Sequence, residues 1–91
     1  MAVDERLLAR AKQNPAGLAF DEALSLAKQL GWIERKARGS HRVFLHPLAF
    51  KIKDIYPRPL NLQSLKDGKA KDYQVRQMIQ MAMAMRIIEK D

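Results

Sequence analysis

The chain has 91 residues, no cysteine and a formal net charge of +7 at pH 7. A chain of that length supports one small domain that buries only about 60 to 65% of its unfolded surface. Without cysteine it has neither a disulfide framework nor a thiolate metal site, which suits a reducing cytoplasm and leaves packing to hold the fold. Charge from Asp4 onward interrupts any signal-peptide core, and no apolar run is long enough to cross a bilayer, so a soluble, cytoplasmic protein without a membrane partner is expected.

Residues 4 to 13 read as a short amphipathic helix, with Asp4 as N-cap, Leu7, Leu8 and Ala11 on one side, and Asn14-Pro15 as the stop. A second helix carries Phe20, Ala23, Leu24, Ala27 and Leu30 on one face and Asp21, Glu22, Ser25, Lys28 and Gln29 on the other. Gly31 supplies its left-handed C-terminal cap. From Trp32 the period changes to two: residues 32–37 and 41–46 form a β-hairpin joined through Arg38-Gly39-Ser40, and Pro47 ends the second strand.

Residues 48–58 are apolar at Leu48, Phe50, Ile52, Ile55 and Tyr56, but Pro57 and Pro59 bracket any regular element, so an irregular excursion is expected. Leu60-Asn61-Leu62-Gln63 alternates as a third strand, followed by a turn at 66–69. The last element is a helix from about Asp72 to about Glu89, with Val75, Met78, Ile79, Ala82 and Met85 toward the core. Its second half is apolar almost all round, more than one small sheet should bury, so it is expected either to fray or to form a partner or homo-oligomer surface. The order helix, helix, strand, strand, strand, helix implies an α+β sandwich whose three-stranded antiparallel sheet has helices on one face only.

The charge is local. Residues 31–71 hold ten of the seventeen Lys and Arg against only Glu34, Asp54 and Asp67, whereas the flanking segments each sum to zero. A polyanion bound through counterion release is therefore the expected partner, with RNA on the open sheet face.

Within that basic segment His41 follows a Gly-Ser turn and stands between Arg38 and Arg42. A histidine titrates near neutrality and can take a proton from a ribose hydroxyl or give one to a leaving oxygen. Gly39 allows close backbone approach, Ser40 offers a hydroxyl and an N–H, and Arg38 and Arg42 suit phosphate. Lys36, Lys69 and Lys71 extend the candidate RNA-binding set, the last two ahead of the final helix. The competing reading of His41 is a structural hydrogen-bonding histidine.

Pairing His41 with His46 as base and acid conflicts with strand geometry, since residues five apart face opposite sides about 16 Å apart. The complementary group is then Lys36, Arg38 or a water. Clustered carboxylates for divalent ions, zinc-ligand spacing and a phosphate-binding glycine loop are all missing, so neither metal nor cofactor is expected.

Together Asn14-Pro15, Phe20, Gly31-Trp32, Gly39-Ser40-His41 with Phe44 and His46-Pro47, Leu60-Asn61-Leu62-Gln63, and Gly68-Lys69-Ala70-Lys71 leading into Tyr73-Gln74-Val75-Arg76-Gln77 resemble the HicA toxin family over residues 14 to 79. The resemblance implies one HicA-like domain over 1–91 with a fold similar to double-stranded RNA-binding domains. It also implies metal-independent endonucleolytic cleavage of mRNA, His41 as the catalytic histidine, and neutralisation by a HicB antitoxin. Residues 1–13 then form an N-terminal helical extension and 48–58 an insertion between the second and third strands, while Asp72 stands where many relatives carry proline and can cap the helix. Two other functions compete: a non-catalytic RNA-binding module of the same fold, and an interaction subunit built on the methionine-rich helix.

Overall fold

A computed structural model describes residues 3–35, 41–56 and 59–89. Three helices, α1 (Glu5–Gln13), α2 (Phe20–Gln29) and α3 (Asp72–Ala84), accompany three strands, β1 (Ile33–Glu34), β2 (His41–Leu45) and β3 (Leu60–Gln63). The molecule is an α+β protein, and among the described residues its three strands form one antiparallel sheet in the order β1-β2-β3.

The local signals act as their chemistry dictates. The Asp4 carboxylate accepts from the N–H groups of Arg6 and Leu7, satisfying two donors that the first turn of α1 leaves unpaired. Asn14 ends the helix and Pro15–Gly17 makes a 3-10 turn. At the start of α2, Glu22 accepts from the Ala19 N–H at 3.0 Å and pairs with Arg10 of α1, so one carboxylate caps α2 and ties it to α1. Gly31 takes φ +99°, and a Cβ there would lie 2.8 Å from the His46 ring, so both backbone and neighbour require glycine.

Register follows from the side chains that must be covered. His41 faces Gln63, Arg42 faces Leu62, Val43 faces Asn61 and Phe44 faces Leu60, while Ile33 faces Leu45 across β1 and β2. Phe44, Leu60 and Leu62 are fully buried on one side of the sheet, against α2 and α3, and α1 packs behind those helices. Alternation then turns His41, Val43, Leu45, Asn61, Gln63 and Ile33 to the opposite side, where Ile33 is 56% and Leu45 43% exposed. Among the described residues that side carries no helix.

Two expectations are corrected. In α2, Leu26 is wholly buried while Phe20 and Leu24 are only partly so, which rotates the core stripe from the one read in the sequence. The last helix stops at Ala84, five residues early. Arg86 adopts a left-handed φ of 61°, its N–H bonds to the Met83 carbonyl, and the Ile87 N–H returns to the Ala82 carbonyl at 2.9 Å. This is a Schellman cap with arginine in the place usually held by glycine. The reversal lays Ile87 and Ile88 against the core, and Met78, Met81 and Met85 are all buried, so the domain itself covers most of the apolar surface of this segment.

The excursion after β2 contains a 3-10 turn, Ala49–Ile52, anchored by buried Ile52. The turn before α3 is held to the start of α2, with the Phe20 N–H on the Gly68 carbonyl and the Ala70 N–H on the Leu18 carbonyl. Those bonds place Lys71, the N-cap residue of α3, beside the end of β3.

Candidate functional site

His41 opens β2 with an exposed ring on the open side of the sheet. Its cross-strand partner is Gln63, and the Gln63 side-chain nitrogen lies 2.8 Å from His41 Nε2. Cross-strand neighbours on one face are close enough for such contact, so the register of β2 on β3 creates it.

Behind Gln63 the polar contacts continue. Lys71 Nζ donates to Gln63 Oε1 at 3.0 Å, and Gln74 Nε2 donates to the same oxygen at 3.0 Å. The Gln63 backbone N–H donates to Gln74 Oε1 at 2.7 Å. Gln74 is 3% exposed and is the one buried polar residue among those described, so its amide is committed to this contact. A chain of groups thus runs from the first turn of α3 through the end of β3 to the imidazole.

The other candidates are distributed differently. Arg42 lies on the helix-covered side, because successive strand residues face opposite ways. There its guanidinium makes two hydrogen bonds to the Glu34 carboxylate, one through Nε and one from Nη2 to Oε1 at 2.7 Å, with Lys28 Nζ 3.8 Å from the same carboxylate. The pairing holds the Glu34 carboxyl below its ordinary range and the Arg42 guanidinium above its own, in each case chiefly through the hydrogen bond between them. Arg42 thus joins β1 to β2 on the side of the sheet away from His41. Lys69 sits exposed at the end of the turn, with its backbone N–H on Asp67 Oδ1. Lys36, Arg38, Gly39 and Ser40 lie outside the described residues.

His46 is a structural histidine. Its Nδ1 accepts from the Leu48 N–H at 3.0 Å, its Nε2 lies 2.9 Å from the Leu30 carbonyl, and its ring meets Trp32 edge-on with centroids 5.0 Å apart. Both nitrogens are used by backbone, so the ring fastens the end of α2 to the exit of β2. It lines an apolar recess of about 210 Å³ with Trp32, Phe44, Phe50, Tyr56 and Met81. That recess lies at the other end of β2 from His41.

Sequence reading missed Gln63 and Gln74 as site residues and missed Arg35, which is exposed two residues beyond Ile33 with its N–H on the Val43 carbonyl. A signal existed for Gln74, four residues before Met78 and therefore an amide in the apolar stripe of α3. For Gln63 the alternation showed only that it faces away from Leu60 and Leu62.

No family model matches the chain, and no curated protein and no solved structure matches it either. Among the described residues no helix is long and apolar enough to cross a membrane, and no three acidic, histidine or cysteine side chains converge as a metal-binding group.

Proposed function

We propose that the chain is a HicA-like endoribonuclease toxin of a type II toxin-antitoxin system, with a fold of the double-stranded RNA-binding kind, in which His41 transfers a proton during cleavage of an mRNA phosphodiester. The observation that carries this reading is the exposed His41 ring on the open side of the sheet, backed by Gln63 and the Lys71 ammonium. An imidazole there can exchange a proton with a ribose hydroxyl or a leaving oxygen, and a nearby ammonium favours the developing phosphorane charge. Lys69, Arg35 and the basic residues at 36 and 38 would hold the RNA backbone; Arg42 would act indirectly, by fixing β1 on β2. The reading places the protein in the cytoplasm, with no cofactor and with a HicB-like antitoxin as partner, whose binding weakens as salt rises.

Incubation of the purified chain with RNA in the presence of a chelator tests the proposal. Wild type should cleave, and His41→Ala should lose at least about a hundredfold in rate while RNA affinity changes less than about threefold. Because the ring is exposed, folding stability should move by no more than about 0.5 kcal/mol. Equal cleavage by wild type and variant removes His41 from the chemistry. The engagement of Arg42 with Glu34 favours one other reading, a non-catalytic RNA-binding module, since it leaves His41 without that guanidinium; salt-sensitive RNA binding by wild type without cleavage would select it.

A further inference from the structure

We infer that Gln63 is a positioning residue that holds His41 as the Nδ1–H tautomer, with Nε2 as the acceptor, and that His46 is held as the opposite tautomer. For His41 the assignment starts from a backbone group whose polarity is not in question. The Gln63 N–H can only donate, so the Gln74 side-chain atom 2.7 Å away is its oxygen. The other atom of that amide is then the NH2 group, which donates to Gln63 Oε1. The Lys71 ammonium, which also can only donate, selects the same Gln63 atom as oxygen. Two independent donors therefore orient the Gln63 amide, and its NH2 group is left toward His41 Nε2 at 2.8 Å. A donor facing Nε2 requires a lone pair there, so the proton of the neutral ring resides on Nδ1.

The same reasoning gives the reverse result for His46. The Leu48 N–H demands a lone pair on Nδ1, and the Leu30 carbonyl demands a proton on Nε2. Two histidines in one small domain thus carry their protons on different nitrogens, each chosen by fixed backbone polarity. In free imidazole side chains the two forms interconvert; here the exposed ring is committed by its neighbours although it is not buried.

The consequence for chemistry rests on the ribonuclease reading above. In the resting molecule Nδ1–H is a hydrogen-bond donor suited to a phosphate oxygen, whereas Nε2 can receive a ribose proton only after the Gln63 amide yields its place. Gln63 would thereby set which nitrogen meets which part of the substrate.

The decisive measurement is a long-range proton–nitrogen correlation spectrum of the 15N-labelled chain, recorded without RNA at a pH well above the ordinary histidine range. Two ring patterns are expected, one with the protonated-type nitrogen shift on Nδ1 and one with it on Nε2, and His41→Gln should delete the first. Gln63→Glu presents only acceptors to the ring, so the His41 pattern should change to Nε2–H while that of His46, which also reports that the fold is intact, stays as it was. Wild-type spectra with both rings protonated on Nε2 overturn the inference even if the variant does not fold, and so does a His41 pattern that Gln63→Glu leaves unmoved. RNA cleavage has no part in these readouts, so an inactive wild type would refute the ribonuclease reading alone. In an active chain, Gln63→Glu should lower kcat by roughly tenfold or more, as expected for loss of a general acid-base arrangement; an unchanged kcat would separate the tautomer from catalysis.

Discussion

Replacing Gln74 by leucine tests whether the buried amide holds the end of β3 to α3. Leucine is close in volume, so the substitution opens little cavity and chiefly removes polar contacts. Two hydrogen bonds to Gln63 disappear, from Gln63 N–H to Gln74 Oε1 and from Gln74 Nε2 to Gln63 Oε1, together with a longer one of 3.4 Å from Gln74 Nε2 to the Tyr73 hydroxyl that adds little. Each of the first two contributes about 1 kcal/mol net, and leaving the Gln63 N–H against an apolar side chain adds about another 1 kcal/mol where water reaches it poorly. Lys71 keeps its own bond to Gln63, which limits the damage to that segment. The sum is a destabilisation of about 2 to 3 kcal/mol, and in a domain of this size 1 kcal/mol moves Tm by about 4–8 °C, so Tm should fall by roughly 10–20 °C. Urea and thermal unfolding followed by far-ultraviolet circular dichroism would measure it, with the urea m value unchanged. A loss below about 0.5 kcal/mol would refute the reasoning, because it would mean that the amide contributes no more than an exposed polar group.

Two further outcomes follow from the same packing. Arg86→Gly should stabilise the fold by about 1 kcal/mol, since the residue at the Schellman position has φ 61° and glycine has no Cβ to strain there; a Tm that falls would contradict that account of the helix end. Glu34→Gln should cost about 1 kcal/mol at neutral pH through loss of its two-point contact with Arg42. The carboxyl is held below its ordinary range when folded, so its stabilisation is fully present above the unfolded-state value and is lost as pH falls through the lowered one. Stability of wild type and variant should therefore converge on acidification below about pH 4, in the region where free glutamate titrates; curves that stay parallel would count against the linkage.

The periodic parts of this fold were legible because short-range chemistry determines them. The Asp4 cap, the Asn14-Pro15 stop and the Gly31 reversal act within a few residues, and all three stand where the sequence puts them. The strands were legible as alternation, although among the described residues β1 comprises only Ile33–Glu34 in regular pairing, and residues 36 and 37 of the expected strand, with the 38–40 turn, lie outside them. The end of α3 was not: nothing in Met83-Ala84-Met85-Arg86 is a conventional stop, and the helix ends because the reversal at Arg86 returns Ile87 and Ile88 to the core. The burial of three methionines is likewise a property of α1, the Pro15–Gly17 turn and β3 closing around α3.

The candidate site divides in the same way. His41 stood out from its turn and its charged neighbours, and its exposure on the open side follows from the alternation that buries Phe44. Its chemical state could not be read there. Gln63 is twenty-two residues away and Gln74 eleven further on, and their contact depends on strand register and on the turn that sets α3 beside β3.

By itself the sequence determined an α+β chain with its excess charge between residues 31 and 71 and one titratable ring at the start of a strand, because composition, caps and side-chain period are local quantities. Only the tertiary structure decided that Arg42 is paired on the far side, that the methionine-rich segment is largely enclosed, and that two glutamines and a lysine stand behind His41. Those outcomes depend on which distant groups meet, and hydrogen-bond polarity acts only between groups that do.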